Sequence, residues 1–390
     1  MNHNLKVAIV CDWLVTVGGA EKVLIEMLKC YPYADVFCVI DFIPDDKRNL
    51  FLNKKITTTF IQKLPFAKTK YRNYLPLMPI AIEQLDLQEY DIIISSSHAV
   101  SKGIIVGPHQ THICYCHSPM RYAWDLQFQY LKESNLVSGL KSWIVRYFLH
   151  KIRIWDVRTN NGVDYFIANS KYIAKRIKKI YRRESKVIYP PVEIKKDISL
   201  LPYNEKEDFY LSASRLVPYK KIDLIVEAFI KMADKKLIVI GDGPDMKKIR
   251  KLAANHPNIQ IMGYQPDKVL HDKLSKARAF VFAAIEDFGI IPVEAQSYGC
   301  PVIAFNQGGV TESVIDYRSN QQLATGVFFD EQTADSINEA VNYFETIYHF
   351  IDINNCHKNA AYFSSKRFKE QLIDYINEVV EYEKASTSNV

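Results

Sequence analysis

No stretch of these 390 residues approaches the ~18 consecutive apolar residues of a membrane-spanning helix. The opening residues, MNHNLKVAIV, lack the plan of a secretory signal, so residues 6–10 read as a first β-strand. The seven cysteines include no C-x-x-C pair, and most sit in apolar runs. That excludes the usual zinc-ribbon spacing and predicts buried thiols in a reducing cytoplasm. No low-complexity tract interrupts a composition that is 48% apolar and 24% charged. The chain therefore reads as a soluble globular protein of about two domains, at ~100–200 residues each.

Charge is present but unevenly spread. Residues 1–200 hold 29 Lys and Arg against 18 Asp and Glu, a balance of +11, and residues 201–390 hold 21 against 26, or −5. Much of the excess lies in residues 171–186, KYIAKRIKKIYRRESK. Residues 136–158 add Lys141, Arg146, Lys151, Arg153 and Arg158 to Leu136, Leu140, Trp143, Ile144, Tyr147, Phe148 and Trp155 at helical intervals. A basic helix with interfacial aromatics suits an anionic membrane surface; an ordinary domain helix with a solvated basic face fits the same pattern. No recognition motif accompanies the charge, so nucleic acid is not an expected partner.

The chemistry concentrates between Arg278 and Cys300, RAFVFAAIEDFGIIPVEAQSYGC. Residues 279–285 form an apolar run suited to a buried parallel strand. Pro292 fits the first turn of a following helix, where a missing N–H costs nothing. Gly289 and Ile290 then offer backbone N–H groups at a helix start, a site for phosphate. Glu286 at the strand's end and Glu294 in the first helical turn flank that site, eight residues apart. An anion site between two acids, at the carboxyl ends of α/β strands, predicts a nucleotide sugar.

Other segments point the same way. Arg215 and Lys220, five residues apart after the strand FYLSAS, provide a forked and a point cation for a diphosphate. Gly18-Gly19 after VAIVCDWL permits close backbone approach or positive φ. His117 opens the run HSPMRYAWD and reads either as cleft lining or as packed against Trp124 or Tyr122. The turn Gly241-Asp242-Gly243-Pro244 lacks the third glycine and helix start of a dinucleotide fingerprint, so NAD is not expected. No D-x-D pair follows a strand, so no metal and no cofactor are expected.

Taken together, E-x7-E with Phe288-Gly289 after its first acid, the GGAE loop at Gly18 and Arg215-x4-Lys220 resemble the retaining family 4 glycosyltransferases. The resemblance implies an α/β fold of two Rossmann-like domains facing across a cleft, the GT-B architecture. It places an acceptor-binding domain in residues 1–195 and a nucleotide-sugar domain in 196–365. A C-terminal helix in 366–390, ending in a polar tail, would pack back on the first domain. By the same resemblance, Arg215 and Lys220 bind the diphosphate and Glu294 the ribose. Glu286 and His117 meet the transferred sugar, while Gly18 and Gly19 lie near the donor phosphates. Gly308-Gly309-Val310-Thr311-Glu312 looks like a further donor loop.

The CHSPMRYAWD segment is similar to the bacterial mannosyltransferases of O-antigen and related polysaccharide assembly. That implies GDP-mannose as donor and a polyprenyl-diphosphate-linked glycan as acceptor. It also implies a location at the cytoplasmic face of the inner membrane, in lipopolysaccharide biosynthesis. A UDP-sugar hexosyltransferase of the same fold is the alternative. A non-catalytic glycan-binding partner is a third reading, but it has no need of Arg215, Lys220, Glu286 and Glu294 together.

Overall fold

The computed structural model describes residues 5–194 and 199–387. The chain divides into two units, the first ending at Pro191 and resuming at Lys366, the second being Val192–Ser365. The boundary expected at residue 195 lies outside the described residues.

The first unit holds β1 (Val7–Cys11), β2 (Asp35–Cys38), β3 (Ile56–Thr58), β4 (Ile92–Ser97), β5 (Thr111–Cys116), β6 (Tyr165–Ala168) and β7 (Lys186–Val187). They pair in parallel in the order β3-β2-β1-β4-β5-β6-β7. The second unit holds β8 (Tyr210–Ala213), β9 (Leu237–Ile240), β10 (Ile259–Gly263), β11 (Ala279–Phe282), β12 (Val302–Phe305) and β13 (Gly326–Phe329). Its order is β10-β9-β8-β11-β12-β13, again parallel.

Each sheet is covered on both faces, which is why its central strands β1, β4, β8 and β11 are buried along their whole length rather than alternating between buried and exposed residues. Along β1, Val7, Ile9 and Cys11 face helix Gly19–Cys30 and the C-terminal helix, through Val23, Met27, Phe368, Leu372 and Ile376. Ala8 and Val10 point to the other face, with Tyr71, Met78, Ile82, Leu149 and Ile152, as the two-residue period of a strand requires. In the second unit, Tyr210, Phe229 and Phe344 pack on one face, and Leu211, Phe280, Phe282 and Tyr298 on the other. All seven cysteines are buried and unpaired.

Winding reverses between β1 and β4 in one sheet and between β8 and β11 in the other. Such switch points leave a crevice beyond the carboxyl ends of the strands, where ligands of open α/β sheets bind.

Two elements differ from the sequence expectation. β11 stops at Phe282, whose last sheet partner is Ala304. The apolar residues beyond it leave the ladder because the Ala283 carbonyl accepts from Gln332 Nε2 at 2.7 Å instead. The final helix, Ser365–Thr387, takes in residues 385–387 of the expected polar tail, and its apolar stripe completes the core of the first unit.

Candidate active site

At the switch point of the first unit, the residue leaving β1 is Asp12. Its buried carboxylate accepts the N–H groups of His98 (2.7 Å), Ala99 (3.0 Å), Val100 (2.6 Å) and Ser101 (2.7 Å), all beyond the end of β4. His98 Nδ1 lies 2.9 Å from Asp12 Oδ2. Burial opposes ionisation of Asp12, but the His98 ring and these N–H groups outweigh it and bring its pKa down to about 2. The His98 ring stands edge-on to Trp13 at 4.7 Å and 6.2 Å from the His117 ring.

His117 follows β5. Its Nε2 is 2.8 Å from the Ser96 hydroxyl of β4, and its ring packs on Tyr115 at 5.0 Å rather than on Trp124 or Tyr122. Burial, then the nearby His98, pushes its pKa down to about 3, so the ring is neutral at physiological pH. Helix Gly19–Cys30 is the first element after β1. The Gly18 N–H donates to Glu21 Oε2 at 2.9 Å, closing the helix start. Gly18 has φ −117°, so close approach and not positive φ is what it supplies: a Cβ there would sit 3.1 Å from that carboxylate oxygen.

The segment after His117 is tied down by two buried groups from elsewhere in the chain. Arg176 donates to the Ser118 hydroxyl at 2.9 Å and pairs with Asp125. Trp124 Nε1 donates to Asp156 at 2.7 Å, and Asp156 also takes Lys102 Nζ at 3.0 Å and the Tyr181 hydroxyl. Lys102 and Asp156 are all but fully buried. A buried pair of this kind persists because every remaining donor has a partner; Lys102 also donates to the Thr159 hydroxyl and the Asp156 carbonyl.

The switch point of the second unit collects Arg215 and Lys220 after β8 and Glu286 after β11. Lys220 and Glu286 form an ion pair, each side chain about one-seventh exposed (14% and 15%). The Arg215 side chain is exposed and has no hydrogen bond or ion pair among the described residues. Two glycine turns shape the surroundings by close backbone approach. A Cβ at Gly241 would fall 1.8 Å from the Ser214 carbonyl, and one at Gly243 2.3 Å from that of Leu216. The Gly-Asp-Gly turn thus braces the segment carrying Arg215, with Leu216 N–H donating to the Asp242 carbonyl at 3.0 Å. Gly308 (φ +87°) and Gly309 lie likewise against Glu286, Asp287 and Phe288, and Gly309 N–H donates to the Glu286 carbonyl at 2.8 Å.

Gly289, in the left-handed region at φ +87°, opens helix Ile290–Ser297, and no side chain caps it. Its first N–H groups, beginning with Ile290, are the electropositive end of the helix. Glu294 lies in the second turn and not the first, because the helix starts at Ile290. Its Oε1 is 3.0 Å from His271 Nε2, on helix Asp267–Lys276, and the His271 ring stacks on Tyr298 at 5.0 Å. Among the described residues, no three His, Cys, Asp or Glu side chains gather as metal ligands do.

Comparison with known proteins fits both halves. Residues 17–196 match the model described as Glycosyltransferase Family 4, and residues 193–383 the one described as Glycosyl transferases group 1. Among solved structures, Anabaena HepE in complex with UDP and glucose has a TM-score of 0.66 at 18% identity, covering 96% of this chain and all of that one. Sucrose-phosphate synthase from Thermosynechococcus elongatus has a TM-score of 0.71 at 16% identity, covering 97% and 100%. The chain is a GT-B glycosyltransferase.

Several curated relatives of this glycosyltransferase carry mannosyltransferase names, and two illustrate the range of coverage. One is the alpha-1,3/1,6-mannosyltransferase ALG2 of Kluyveromyces lactis, 22% identical, covering 97% of this chain and 86% of that protein. The other is the GDP-mannose-dependent alpha-(1-6)-phosphatidylinositol monomannoside mannosyltransferase of Mycobacterium tuberculosis. It is 33% identical over 147 residues, 33% of this chain and 36% of that one.

Within the glycosyltransferase, Arg215, Lys220, Glu286, Glu294, Gly289 and Ile290 lie around one switch point, and Gly18, Gly19 and His117 on elements that meet at the other. Asp12, His98 and His271 escaped the sequence reading. Each is an isolated polar residue with no local motif, and only the strand order reveals its partner.

Proposed function

We propose that this glycosyltransferase is a retaining mannosyltransferase, moving mannose from GDP-mannose to a lipid-linked glycan. The acceptor of this reading is a polyprenyl-diphosphate-linked chain in lipopolysaccharide O-antigen or related polysaccharide assembly, met at the cytoplasmic face of the inner membrane. The observation that carries the donor assignment is similarity to a mannosyltransferase along 97% of the chain. No helix among the described residues is long and apolar enough to cross a membrane, so surface attraction is the means of reaching such an acceptor.

The chemistry follows from charge. Cleavage of the sugar–phosphate bond leaves a diphosphate whose negative charge grows in the transition state. Arg215 and Lys220, with the N–H groups starting at Gly289 and Ile290, stabilise that charge without reorganising. Glu294, steadied by His271, accepts from the ribose hydroxyls. Glu286 binds the transferred sugar and stabilises positive charge at its anomeric carbon, without a covalent bond to it. Lys220 is shared between that carboxylate and the leaving group. The leaving phosphate takes the acceptor's proton, and neutral His117 hydrogen-bonds the sugar.

A UDP-sugar donor is the second reading, favoured by the UDP complex of a structural neighbour. A panel of nucleotide sugars, tested with purified protein for binding and slow hydrolysis, decides between them. Preference for GDP-mannose, surviving EDTA, is expected. Preference for a UDP-sugar replaces the donor, and complete loss in EDTA restored by Mg²⁺ reveals a metal requirement.

A further inference from the structure

Helix Leu140–Arg158 is anchored through a narrow face, with Ser142, Leu149, Ile152 and Asp156 buried. An amphipathic helix of a globular domain normally turns its large apolar residues inward. This one turns several of them outward. Leu140 is 76% exposed and Trp143 67%, while Tyr147, Ile144 and Phe148 are between 41% and 47% exposed. Val137 and Phe128, just upstream, are 60% and 71% exposed. Isolated exposed apolar residues need no explanation, but a concentration of large ones on one element marks an interaction surface.

The surface is ordered. Trp143 and Tyr147 stack at 6.1 Å with their planes 11° apart, and Phe148 meets Tyr147 edge-on at 5.8 Å. Cations are interleaved with the rings. The Arg146 guanidinium lies over Phe128 at 5.9 Å while its Nε donates to the Ser142 hydroxyl, and Lys151 Nζ lies over Tyr147 at 5.5 Å. Lys132 and Lys141 are exposed on the same segment.

We infer that the ridge formed by Phe128, Leu140, Trp143, Ile144, Tyr147 and Phe148 is a membrane-docking surface that inserts into the headgroup region of an anionic bilayer. Trp and Tyr rings favour that depth, and Lys and Arg stems lie along the apolar surface while their charges reach the phosphates. Charge argues against a second copy of this chain as the occupant. Two such ridges face to face would bring like-charged Arg146, Lys141 and Lys151 together, and the first 200 residues already carry +11. The inference rests on the proposed lipid-linked acceptor and adds to it the face, and with it the depth, at which the protein would meet the membrane.

Vesicle flotation of the full chain tests it, with phosphatidylglycerol vesicles against phosphatidylcholine ones. The variant Leu140→Ser/Trp143→Ser/Tyr147→Ser/Phe148→Ser alters exposed positions only, and circular dichroism checks its fold. Wild type is expected to float with the anionic vesicles and the variant to bind them about tenfold or more weakly. Trp143 is the one tryptophan of four classed as exposed, so bromine-tailed lipids are expected to quench wild-type fluorescence and to leave the variant's unchanged. Wild type floating with neither vesicle overturns both the inference and the proposed membrane location. Wild type and variant floating equally overturns the inference alone. A change in sedimentation of lipid-free protein, without a change in flotation, assigns the ridge to self-association and likewise overturns it. Nucleotide-sugar hydrolysis in solution is expected to be equal in the two proteins.

Discussion

Asp12 Oδ2 and His98 Nδ1 lie 2.9 Å apart where β1 and β4 part company, and Lys220 and Glu286 pair at the corresponding point between β8 and β11. Each sheet thus places an ionisable pair at its own reversal of winding. The first pair is also wrapped in backbone donors, four N–H groups converging on one carboxylate. Asp12 is therefore a structural anion that fixes the turn after β4 and, with it, the orientation of His98.

Asp12→Asn replaces an oxygen that accepts two N–H groups with an amide that can only donate. We expect a loss of ~3 kcal/mol, as buried donors are left unpaired. Urea unfolding followed by tryptophan fluorescence is the readout. Trp13, Trp124, Trp143 and Trp155 all lie in the first unit, so the signal reports that unit alone. Asp12→Asn and His98→Ala are expected to be strongly non-additive in combination. An unchanged midpoint for Asp12→Asn would refute the structural role.

Lys220→Ala and Arg215→Ala are each expected to lower turnover by about 10²–10³-fold, the cost of one contact to a leaving group's growing charge. They differ in a second respect. Lys220→Ala strands the largely buried Glu286 carboxylate, so the double variant Lys220→Ala/Glu286→Gln is expected to lose less activity than the product of the single losses. Arg215, exposed and without a partner among the described residues, is expected to leave the melting temperature unchanged. Near-normal turnover in either single variant removes the diphosphate assignment.

Much of this arrangement is legible in the sequence, for physical reasons. Parallel strands buried on both faces are largely apolar, so β1, β8, β11 and β12 announce themselves, and the turn–helix holding Glu286 and Glu294 follows from its glycine and proline. The length of β11 does not, because Ala283-Ala284-Ile285 is as apolar as the strand and only a side chain 49 residues away, Gln332, takes its next carbonyl. Nor does the role of the Gly-Asp-Gly turn, since what makes Gly241 necessary is the backbone of Ser214 and not a ligand. Asp12 and His98 are 86 residues apart, Lys102 and Asp156 54. Such pairs exist only once the chain is wound.

Glu294→Ala is expected chiefly to weaken donor binding, whereas Glu286→Ala lowers the rate at saturating donor. His271→Ala is expected to reproduce part of the first effect, because His271, its ring stacked on Tyr298, hydrogen-bonds the Glu294 carboxylate. Steady-state kinetics with the preferred donor separate the two. Equal changes of kcat and KM in both glutamate variants, or an unaffected KM in His271→Ala, would end this division of labour.

Acid is expected to destabilise the first unit before it touches ordinary carboxylates. His112 is buried between the Ser95 hydroxyl and the Gly162 carbonyl, and burial lowers its pKa from 6.5 to about 4. His117 is lowered further, to about 3. The unfolded chain takes up both protons near pH 6.5 and the folded one does not. Their contribution is therefore fully present above that pH and is lost as pH falls towards 4. Between pH 7.5 and 5, each histidine accounts for about 2 kcal/mol at ~1.4 kcal/mol per pH unit. His112→Asn is expected to lower stability at pH 7.5 yet shrink the drop to pH 5 by that amount, read by the same tryptophan signal. An unchanged drop would mean that His112 is not neutral in the folded state.

Helix Lys171–Tyr181 has two kinds of cation, and they should answer to different assays. Arg176 is buried, 8% exposed, and holds the segment after His117 through Ser118 and Asp125. Lys175, Lys178, Lys179 and Arg182 are exposed, and Lys178 pairs with Glu184 at 2.6 Å. Near an anionic leaflet each exposed cation contributes about 1 kcal/mol, screened over roughly a Debye length. Reversing the charge at Lys175, Lys178, Lys179 and Arg182 is therefore expected to weaken binding to anionic vesicles and to leave hydrolysis of the donor in solution intact. Arg176→Glu is expected to do the opposite, because a buried carboxylate beside Asp125 repels the loop it should hold, and donor turnover falls with it. Anionic-vesicle binding measured at two salt concentrations, alongside hydrolysis rates, tells these apart. If the four-residue reversal leaves binding unchanged at low salt, the helix takes no part in reaching the membrane.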